Sequence, residues 1–496
     1  MAERKSAMRL EKTRRERFFN SDAQHFSISS IPLLLALLLV MILPVRIFSI
    51  TADLSANYNF GDNLFSIYNE DISYSNVLLS AKLSYKAEGF EFLASLNAAN
   101  DRLYNDAFSD SYYGGFYFSM GSSGISLDLG NANVTFGKIH LSDVVDSPYS
   151  LFISSMDFPR NTIDFSFEDD NFLYTTRWIE LTNLLDPSTT TDLRKKYRGM
   201  NYKVYATKFG NFRFGYQEAD IYVGKTFDLE YFANPIPGFF IQYVNDNGRP
   251  YPEGLGEANY VAGFFLDYSD NGKYAYAQIL IDDINANRFL HPESYQNPDK
   301  IAWSLGGRVN TPFGILALYN AGATKYTFQP SAEGGNQQFY GYTYYSDFLY
   351  KQTDGNDMIL PLELLYTGYK YGENNVAFRL EYESTAPKGL FATVEYVVLG
   401  ERSPINAWNG DTTYISGTHL LDDSVLEHRL IGNLTYTLTL PLNLSFNIST
   451  DIGYIWNKSV LTQADDYVKK PFLKPQLGND VPYFSLTTGL NFSFSF

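Results

Sequence analysis

Apolar and polar residues alternate along much of the chain beyond residue 50. In the last such run, Phe484, Leu486 and Phe492 lie on one parity of the sequence, while Ser485 and Asn491 lie on the other. Because residues two apart share a face of a strand, this run predicts a strand with one apolar and one polar face. The same alternation predicts strands around 163–167, 212–216, 376–382, 434–440 and 442–448.

Turn-forming residues separate these runs. We predict tight turns at Glu88-Gly89, at Asn271-Gly272, at 387–389 and around Pro441. Between other strands lie long polar segments, at 183–199, 244–259, 285–300, 328–340, 401–424 and 462–482. Short turns that alternate with long loops are typical of an outer-membrane barrel, whose short turns face the periplasm.

The first 52 residues differ from the rest of the chain. Their net charge is +4, and they contain an apolar run of 13 residues at 31–43. A transmembrane helix needs about 20 apolar residues, so a basic leader followed by this shorter run predicts a signal peptide, with cleavage after Ala52. The alternative is an uncleaved anchor helix that extends through Pro44 and Arg46, and translation could also start at Met8.

Composition narrows the class of protein. The 496 residues include 40 Tyr, 39 Phe and 4 Trp, and they include no Cys, which excludes disulfides, thiolate zinc sites, iron–sulfur clusters and a lipidated cysteine. The net charge of −17 argues against a nucleic-acid partner, because phosphate contacts need a basic surface. A soluble β-sandwich or β-helix would also alternate, but the export signal and the abundant aromatic residues near strand ends favour a membrane barrel.

The end of the chain gives a further indication. The final alternating strand ends at Phe496, which resembles the terminal strand that the outer-membrane assembly machinery binds. Residues 53–496, at roughly 25 residues for each strand with its connection, would form about 18 strands, within a range of 16 to 20. We therefore predict an all-β chain, a transmembrane antiparallel β-barrel over 53–496, in contact with outer-membrane lipid in the cell outer membrane.

Three pairs of segments stand out between about 160 and 402. They are Phe214-Gly-Tyr-Gln-Glu-Ala-Asp220 with Leu229-Glu-Tyr-Phe-Ala-Asn-Pro235, Tyr274-Ala-Tyr-Ala-Gln-Ile-Leu-Ile-Asp-Asp-Ile284 with Asn297-Pro-Asp-Lys-Ile-Ala-Trp-Ser-Leu-Gly-Gly307, and Leu365-Tyr-Thr-Gly-Tyr-Lys-Tyr-Gly372 with Tyr396-Val-Val-Leu-Gly-Glu401. In order and spacing these segments resemble the capsule-assembly outer-membrane barrels of the Wzi type. The resemblance implies a barrel that helps to hold or organise exported polysaccharide, and it implies no catalysis.

Six residues are candidates for contact with a glycan, each with a plainer alternative. Arg177 and Trp178 precede a polar loop and could meet an anionic sugar or a lipid phosphate, or form part of the rim at the membrane boundary. Asp282 and Asp283 close an apolar strand, where they could bind sugar hydroxyls or a cation, or lie in solvent. Adjacent strand residues point to opposite faces, so we expect one of the two in the lumen and the other at the rim.

The two tyrosines, Tyr342 and Tyr344, could stack on sugar rings or pack within a loop.

No motif predicts catalysis. The histidines have no metal-ligand spacing, and there is no Gly-x-Ser-x-Gly sequence, so we predict no metal, no cofactor and no enzyme activity. Asp422, Asp423 and His428 are near one another in sequence, and we place them on a charged outer loop.

Three functions remain open: assembly or attachment of surface polysaccharide, which we prefer, a porin-like channel, and an adhesin. The net charge of −21 over 53–496 would give a porin a preference for cations. A loop folded into the lumen would favour the first function, and 244–259 and 285–300 are the candidate constrictions.

Overall fold

The computed structural model describes most of the chain beyond residue 50. The described ranges are 50–62, 73–100, 116–154, 159–183, 197–246, 258–283, 298–329, 340–344, 349–351, 357–359, 362–403, 417–462 and 472–495. The chain divides into two compact units, Met1–Ile50 with Phe496, and Thr51–Ser495, and the features below belong to the second. The predicted signal peptide and the role of Phe496 in assembly lie outside the described residues and stay predictions.

Across the described residues, eighteen antiparallel strands form one sheet. A two-residue interruption divides the fourth strand, and both of its parts pair with the third. The strands are β1 (Ile50–Asp62), β2 (Ser73–Ala87), β3 (Phe90–Ala99), β4 (Tyr117–Met120 and Ser123–Asp128), β5 (Ala132–Ile139), β6 (Arg160–Glu168), β7 (Phe172–Asn183), β8 (Tyr197–Phe209), β9 (Phe212–Val223), β10 (Ala258–Asp270), β11 (Lys273–Asp283), β12 (Lys300–Thr311), β13 (Gly314–Ala323), β14 (Asn375–Ser384), β15 (Leu390–Leu399), β16 (Glu427–Leu440), β17 (Leu444–Trp456) and β18 (Val481–Ser495).

The sheet closes on itself. The first strand pairs with the last, from Thr51 opposite Ser495 to Gly61 opposite Ser485, and it also pairs with β2. Among the described residues, closure leaves this sheet without an edge strand, so each of its strands has hydrogen-bonded neighbours on both sides, as a bilayer requires. The prediction of a transmembrane antiparallel β-barrel of about 18 strands is therefore confirmed.

The two ends of the barrel differ in the length of their connections. Eight short turns lie at one end, at 88–89, 129–131, 169–171, 210–211, 271–272, 312–313, 385–389 and 441–443. The predicted turns are among them, and Gly89 and Gly272 have φ values of +69° and +77°, which glycine adopts without strain. Longer connections leave the other end. The asymmetry between the two ends matches the prediction. That the short turns face the periplasm stays a prediction.

Alternation along each strand separates a lipid face from a lumen face. On β16, Leu434 is 49% exposed, and on β17, Ile452 is 61% exposed. Their neighbours in sequence, such as Asn433 and Asp451, lie on the opposite face and hydrogen-bond to each other across the strands. The exposed apolar parity is therefore the lipid face, and the polar parity is the lumen face. Among the described residues, no helix is long and apolar enough to cross a membrane.

Small elements lie in the long connections that the structure describes. Helices α1 (Leu229–Ala233) and α2 (Gly238–Asp246) follow β9, and helix α3 (Leu362–Leu365) precedes β14. The carboxylate of Asp228 caps α1, because it accepts hydrogen bonds from the backbone N–H groups of Glu230 and Tyr231. Two short hairpins complete the connections, Leu349–Lys351 with Asp357–Ile359, and Ser459–Thr462 with Phe472–Pro475.

Candidate functional site in the barrel lumen

The connection after β5 folds into the barrel rather than out of it. Its described residues, 140–154, form what we call the lumen loop, and within it Tyr149, Leu151 and Phe152 are fully buried. The loop lies against the lumen face of β11. The backbone N–H of Leu151 donates to Gln278 Oε1 at 2.9 Å, and the N–H of Asp146 donates to the Tyr274 hydroxyl at 3.0 Å.

A single carboxylate organises the middle of the lumen loop. Asp143 accepts hydrogen bonds from the N–H groups of Phe152 and Ile153, at 3.0 and 3.3 Å, which fold the loop back on itself. It also accepts from wall side chains of three strands: the Tyr202 hydroxyl at 3.0 Å, Gln217 Nε2 at 2.6 Å and Gln278 Nε2 at 3.1 Å. Asp143 therefore joins the loop to β8, β9 and β11.

Charged wall residues hold the first half of the same loop, at Ser142, Val144 and Asp146. Arg177 on β7 pairs with Asp164 at 3.0 Å and donates to the Ser142 carbonyl at 2.7 Å. Near the short-turn end, Arg213 donates to the Val144 carbonyl at 3.2 Å, and Arg308 pairs with Asp146. Arginine suits such positions because its planar guanidinium can serve a carboxylate and a carbonyl together.

Tyr149 binds the loop to a further strand of the wall, β15. Its hydroxyl donates to Glu395 on β15 at 2.6 Å, and Glu395 in turn pairs with Lys370 at 3.0 Å. Burial and the Glu395 carboxylate both raise the pKa of Tyr149, so its hydroxyl stays protonated and can donate.

The connection between β13 and β14 adds a second layer over the lumen loop. The Ser154 N–H donates to the Thr367 carbonyl at 2.6 Å, and the Tyr342 hydroxyl donates to the Phe152 carbonyl at 2.9 Å. The wall again supplies cations, since Arg198 donates to the carbonyls of Gly341 and Thr343 at 2.6 and 3.0 Å. We call the two layers together the plug, which consists of 140–154, 324–329, 340–344 and 362–374.

One carboxylate within the plug titrates near neutrality. Glu373 is buried, and its Oε1 accepts from the Ser403 N–H at 2.6 Å. Burial raises the pKa of Glu373 to about 8, and the hydrogen bonds from the backbone of Ser403 and Tyr326 oppose that shift.

A different surface lines the wall where β16, β17 and β18 meet. Its inward residues hydrogen-bond to one another: Asn433 Nδ2 donates to Asp451 at 2.6 Å, Ser485 donates to Asp451 at 2.7 Å, and the hydroxyls of Thr435 and Ser449 lie 2.7 Å apart. We call this the polar wall. These positions are only partly buried, so their hydroxyl and amide groups can meet water or a polar solute.

The structure separates the predicted basic and aromatic pair. Arg177 faces the lumen and is held by Asp164, as above. Trp178 faces outward, where its indole N–H donates to the Thr226 carbonyl and its ring meets Phe227 edge-on at 5.5 Å. The two adjacent residues thus serve opposite surfaces of the barrel.

The other four candidates lie at or near the plug. Asp282 faces the lumen, accepts from the Phe328 N–H at 2.8 Å and lies 3.7 Å from Lys300 Nζ, while Asp283 follows at a register shift that ends β11. Tyr342 is fully buried and Tyr344 is 3% exposed. Glycan contact by Arg177, Trp178, Asp282, Asp283, Tyr342 and Tyr344 stays a prediction.

The predicted constrictions, 244–259 and 285–300, lie mostly outside the described residues and stay a prediction. Residues 244–246 end helix α2, and 247–257 and 285–297 lie outside the described residues. The lumen loop is a segment that sequence reasoning missed. The run 149–153, Tyr-Ser-Leu-Phe-Ile, could have indicated it. Four of these five residues are apolar or aromatic and they do not alternate with polar ones, which suits a packed interior better than a solvated loop.

Within the described part of the chain, no group of three or more His, Asp or Glu side chains is arranged to hold a metal ion. No family model and no curated protein matches the chain.

Solved structures resemble the fold. Wzi of Escherichia coli, an outer membrane protein involved in group 1 capsule assembly and described as a carbohydrate-binding β-barrel, aligns with a TM-score of 0.53 at 10% identity, over 95% of this chain and 90% of its own. OpdK of Pseudomonas aeruginosa aligns with a TM-score of 0.43 at 11% identity, over 90% and 99%. OccAB2 of Acinetobacter baumannii gives 0.45 at 11%, over 90% and 98%. At such identity the likeness extends to the fold, and the chain is an outer-membrane β-barrel.

Proposed function

We propose that this outer-membrane barrel assists the assembly or attachment of surface polysaccharide and catalyses no reaction. The observation that carries the proposal is the lumen loop, which is bound to six strands through Asp143, Tyr149 and the wall arginines. A wide diffusion channel needs an unobstructed lumen, whereas a loop with buried polar contacts on both sides costs much free energy to move. The plug therefore favours a barrel that acts through the connections at its long-loop end over one that acts through an open lumen.

Such a barrel would act through many weak contacts. Its long connections all leave the end opposite the short turns, where exported polysaccharide would lie. A repeating glycan offers the same contact many times, so a low affinity for each unit becomes a large overall avidity. The carbohydrate binding stated for the Escherichia coli barrel supports this proposal for a chain of the same fold.

A porin-like channel is the second candidate, and the polar wall favours it. Asn433, Thr435, Ser449 and Asp451 present partly buried polar groups to the lumen. A narrow path beside the plug would suit small hydrophilic solutes, and the acidic character of the chain would favour cations.

Two measurements on the same refolded protein separate the candidates. Conductance in a planar bilayer tests the channel, and binding of purified surface polysaccharide, followed by tryptophan fluorescence, tests the first proposal. We expect insertion with little conductance and saturable glycan binding that is absent for a monosaccharide at the same sugar concentration. Large, steady, cation-selective steps without glycan binding would overturn the polysaccharide proposal in favour of the porin.

A further inference from the structure

Charged residues lie on the outward face of β8 and β9. Phe214 and Tyr216 face outward, and the same parity continues to Glu218 and Asp220. Lys203, which pairs across the sheet with Glu218, lies 3.6 Å from its carboxylate, and all three charged residues are completely buried. At a comparable distance from the short turns, other strands present apolar residues to the lipid, so bare charges at this depth would be costly.

The connection between β9 and β10 covers these charges from outside the barrel. Residues 224–246, which we call the outer-wall segment, include α1 and α2 and pack on the outward faces of β7 to β10. Lys203 Nζ donates to the Ile236 carbonyl at 2.9 Å, and the Gly238 N–H donates to Glu218 Oε1 at 2.9 Å. The ion pair of Lys203 and Glu218 therefore hydrogen-bonds the backbone of the outer-wall segment to the outward face of the barrel.

Outward-facing strand residues also satisfy the irregular backbone of the segment. Thr176 donates to the Phe232 carbonyl at 2.8 Å, and the Tyr205 hydroxyl donates to the Pro235 carbonyl at 3.1 Å. The Ile236 N–H donates to the Asn234 side chain at 3.2 Å, and the flanking residues Pro235 and Pro237 have no N–H to satisfy. Non-helical backbone at membrane depth requires such partners, because lipid offers none.

The far side of the segment is mostly apolar, with one exposed carboxylate, Glu230, which accepts a hydrogen bond from Asn245 Nδ2 at 3.1 Å. Leu229 is 65% exposed, Ile236 47%, Phe239 52% and Phe240 54%. These side chains continue the lipid belt of the strands, since the Phe239 ring lies 6.0 Å from Tyr260, on the same outward face of β10 as the belt residues Phe264 and Leu266. An apolar surface that is continuous with the belt would be buried by the same acyl chains.

We propose that the outer-wall segment is embedded in the hydrocarbon layer of the outer membrane, with its apolar face in contact with lipid acyl chains. The buried pair of Lys203 and Glu218 fastens it to the barrel wall. The start of α2 sits very close to the wall, because a side-chain Cβ at Gly238 would come within 2.2 Å of the Asp220 carboxylate. A loop that extends into water would need no apolar outward face, and charges exposed to water would need no segment to cover them.

Spin labels test the depth of the segment directly, because the chain contains no Cys and single cysteines can be labelled cleanly. Phe239→Cys and, as a second site, Phe240→Cys are labelled with a nitroxide in the refolded protein in phosphatidylcholine vesicles. Accessibility to oxygen, which concentrates in lipid, is compared with accessibility to a water-soluble nickel chelate. Leu434→Cys in the belt and Leu477→Cys, which is 78% exposed on an outer connection, are the matched controls.

We expect the labels at 239 and 240 to match the label at 434, with high oxygen and low nickel accessibility. Labels that match position 477 would overturn the proposal and place the segment in water. Labels that neither reagent reaches, with spin–spin broadening that disappears on dilution with unlabelled protein, would overturn it in favour of a second copy. Low accessibility without that broadening would overturn it in favour of burial within the chain. Folding of each variant is checked by the shift in gel mobility on heating.

Discussion

Removing one carboxylate is expected to release the lumen loop. Asp143→Ala takes away the acceptor for the N–H groups of Phe152 and Ile153 and for the Tyr202 hydroxyl. The two glutamine donors are affected less, because Gln217 and Gln278 also hydrogen-bond to each other. Each buried donor left without an acceptor costs about 1–3 kcal/mol. The losses are not additive, so we take about 3–6 kcal/mol for the attachment of the loop.

A loss of this size changes the state of the lumen. It multiplies the ratio of released to seated loop by roughly 10² to 10⁴. We therefore expect the Asp143→Ala barrel to conduct in a planar bilayer, with steps that are larger and more frequent than those of the unaltered protein. The matched control is Asp146→Ala in the same loop, whose pair with Arg308 is largely exposed and contributes less than about 1 kcal/mol.

Two results would refute this reasoning. Equal conductance for the Asp143 variant, the Asp146 variant and the unaltered protein would mean that Asp143 does not hold the loop. Large steps in the unaltered protein would mean that the seated loop leaves a wide pore. Gel mobility before and after heating verifies that each barrel is folded, so that leakage from misfolded protein is not counted as conductance.

Three further predictions concern the lipid face, a turn and the plug. Leu434→Arg should cost about 2–4 kcal/mol in urea unfolding from vesicles, because it places a charge in the lipid belt, whereas Thr435→Arg on the lumen face should cost much less; equal losses would contradict the assignment of faces. Gly137→Ala should destabilise by about 1–3 kcal/mol in the same assay, because the φ of +144° and a Cβ only 2.3 Å from the Ser123 carbonyl oxygen strain any side chain; an unchanged midpoint would contradict this. The folded protein binds the Glu373 proton more tightly than the unfolded chain, because the pKa of this carboxyl is raised from its ordinary value of 4.5 to about 8. Its contribution to stability is therefore fully present below about pH 4.5 and is lost progressively as the pH rises to about 8. Glu373→Gln should flatten that decline in unfolding midpoint between pH 5 and 8, and an unchanged slope would count against it.

Much of the fold could be predicted because the relevant physics is local. A period of two assigns faces within one strand, as in the run that ends the chain, and glycine or asparagine at 271–272 marks a turn without reference to distant residues. Chain length then sets the number of strands, since membrane thickness fixes the length of each. Segments 214–220 and 229–235, which resemble the Wzi type, lie in strand β9 and in the outer-wall segment that covers it.

The candidate site was predicted far less well. Arg177 and Trp178 were grouped by their nearness in sequence, yet alternation alone sends them to opposite faces of the barrel. Tyr342 and Tyr344 lie in a connection between strands, and the structure buries both in the plug. Their sequence does not show this burial, because the wall around them comes from distant strands. The lumen loop escaped because the direction in which a connection folds depends on partners far along the chain, such as Gln278 and Glu395 for a loop at 140–154.

The sequence by itself predicted an outer-membrane β-barrel of about 18 strands and, in the strands that alternate clearly, the parity that faces lipid, because bilayer thickness and strand geometry act on neighbouring residues. Only the tertiary structure decided that residues 140–154 enter the lumen and that 224–246 lie on the outer wall. Both outcomes depend on polar groups, half-buried Asp143 inside and fully buried Lys203 with Glu218 outside, whose partners come together only when the barrel closes.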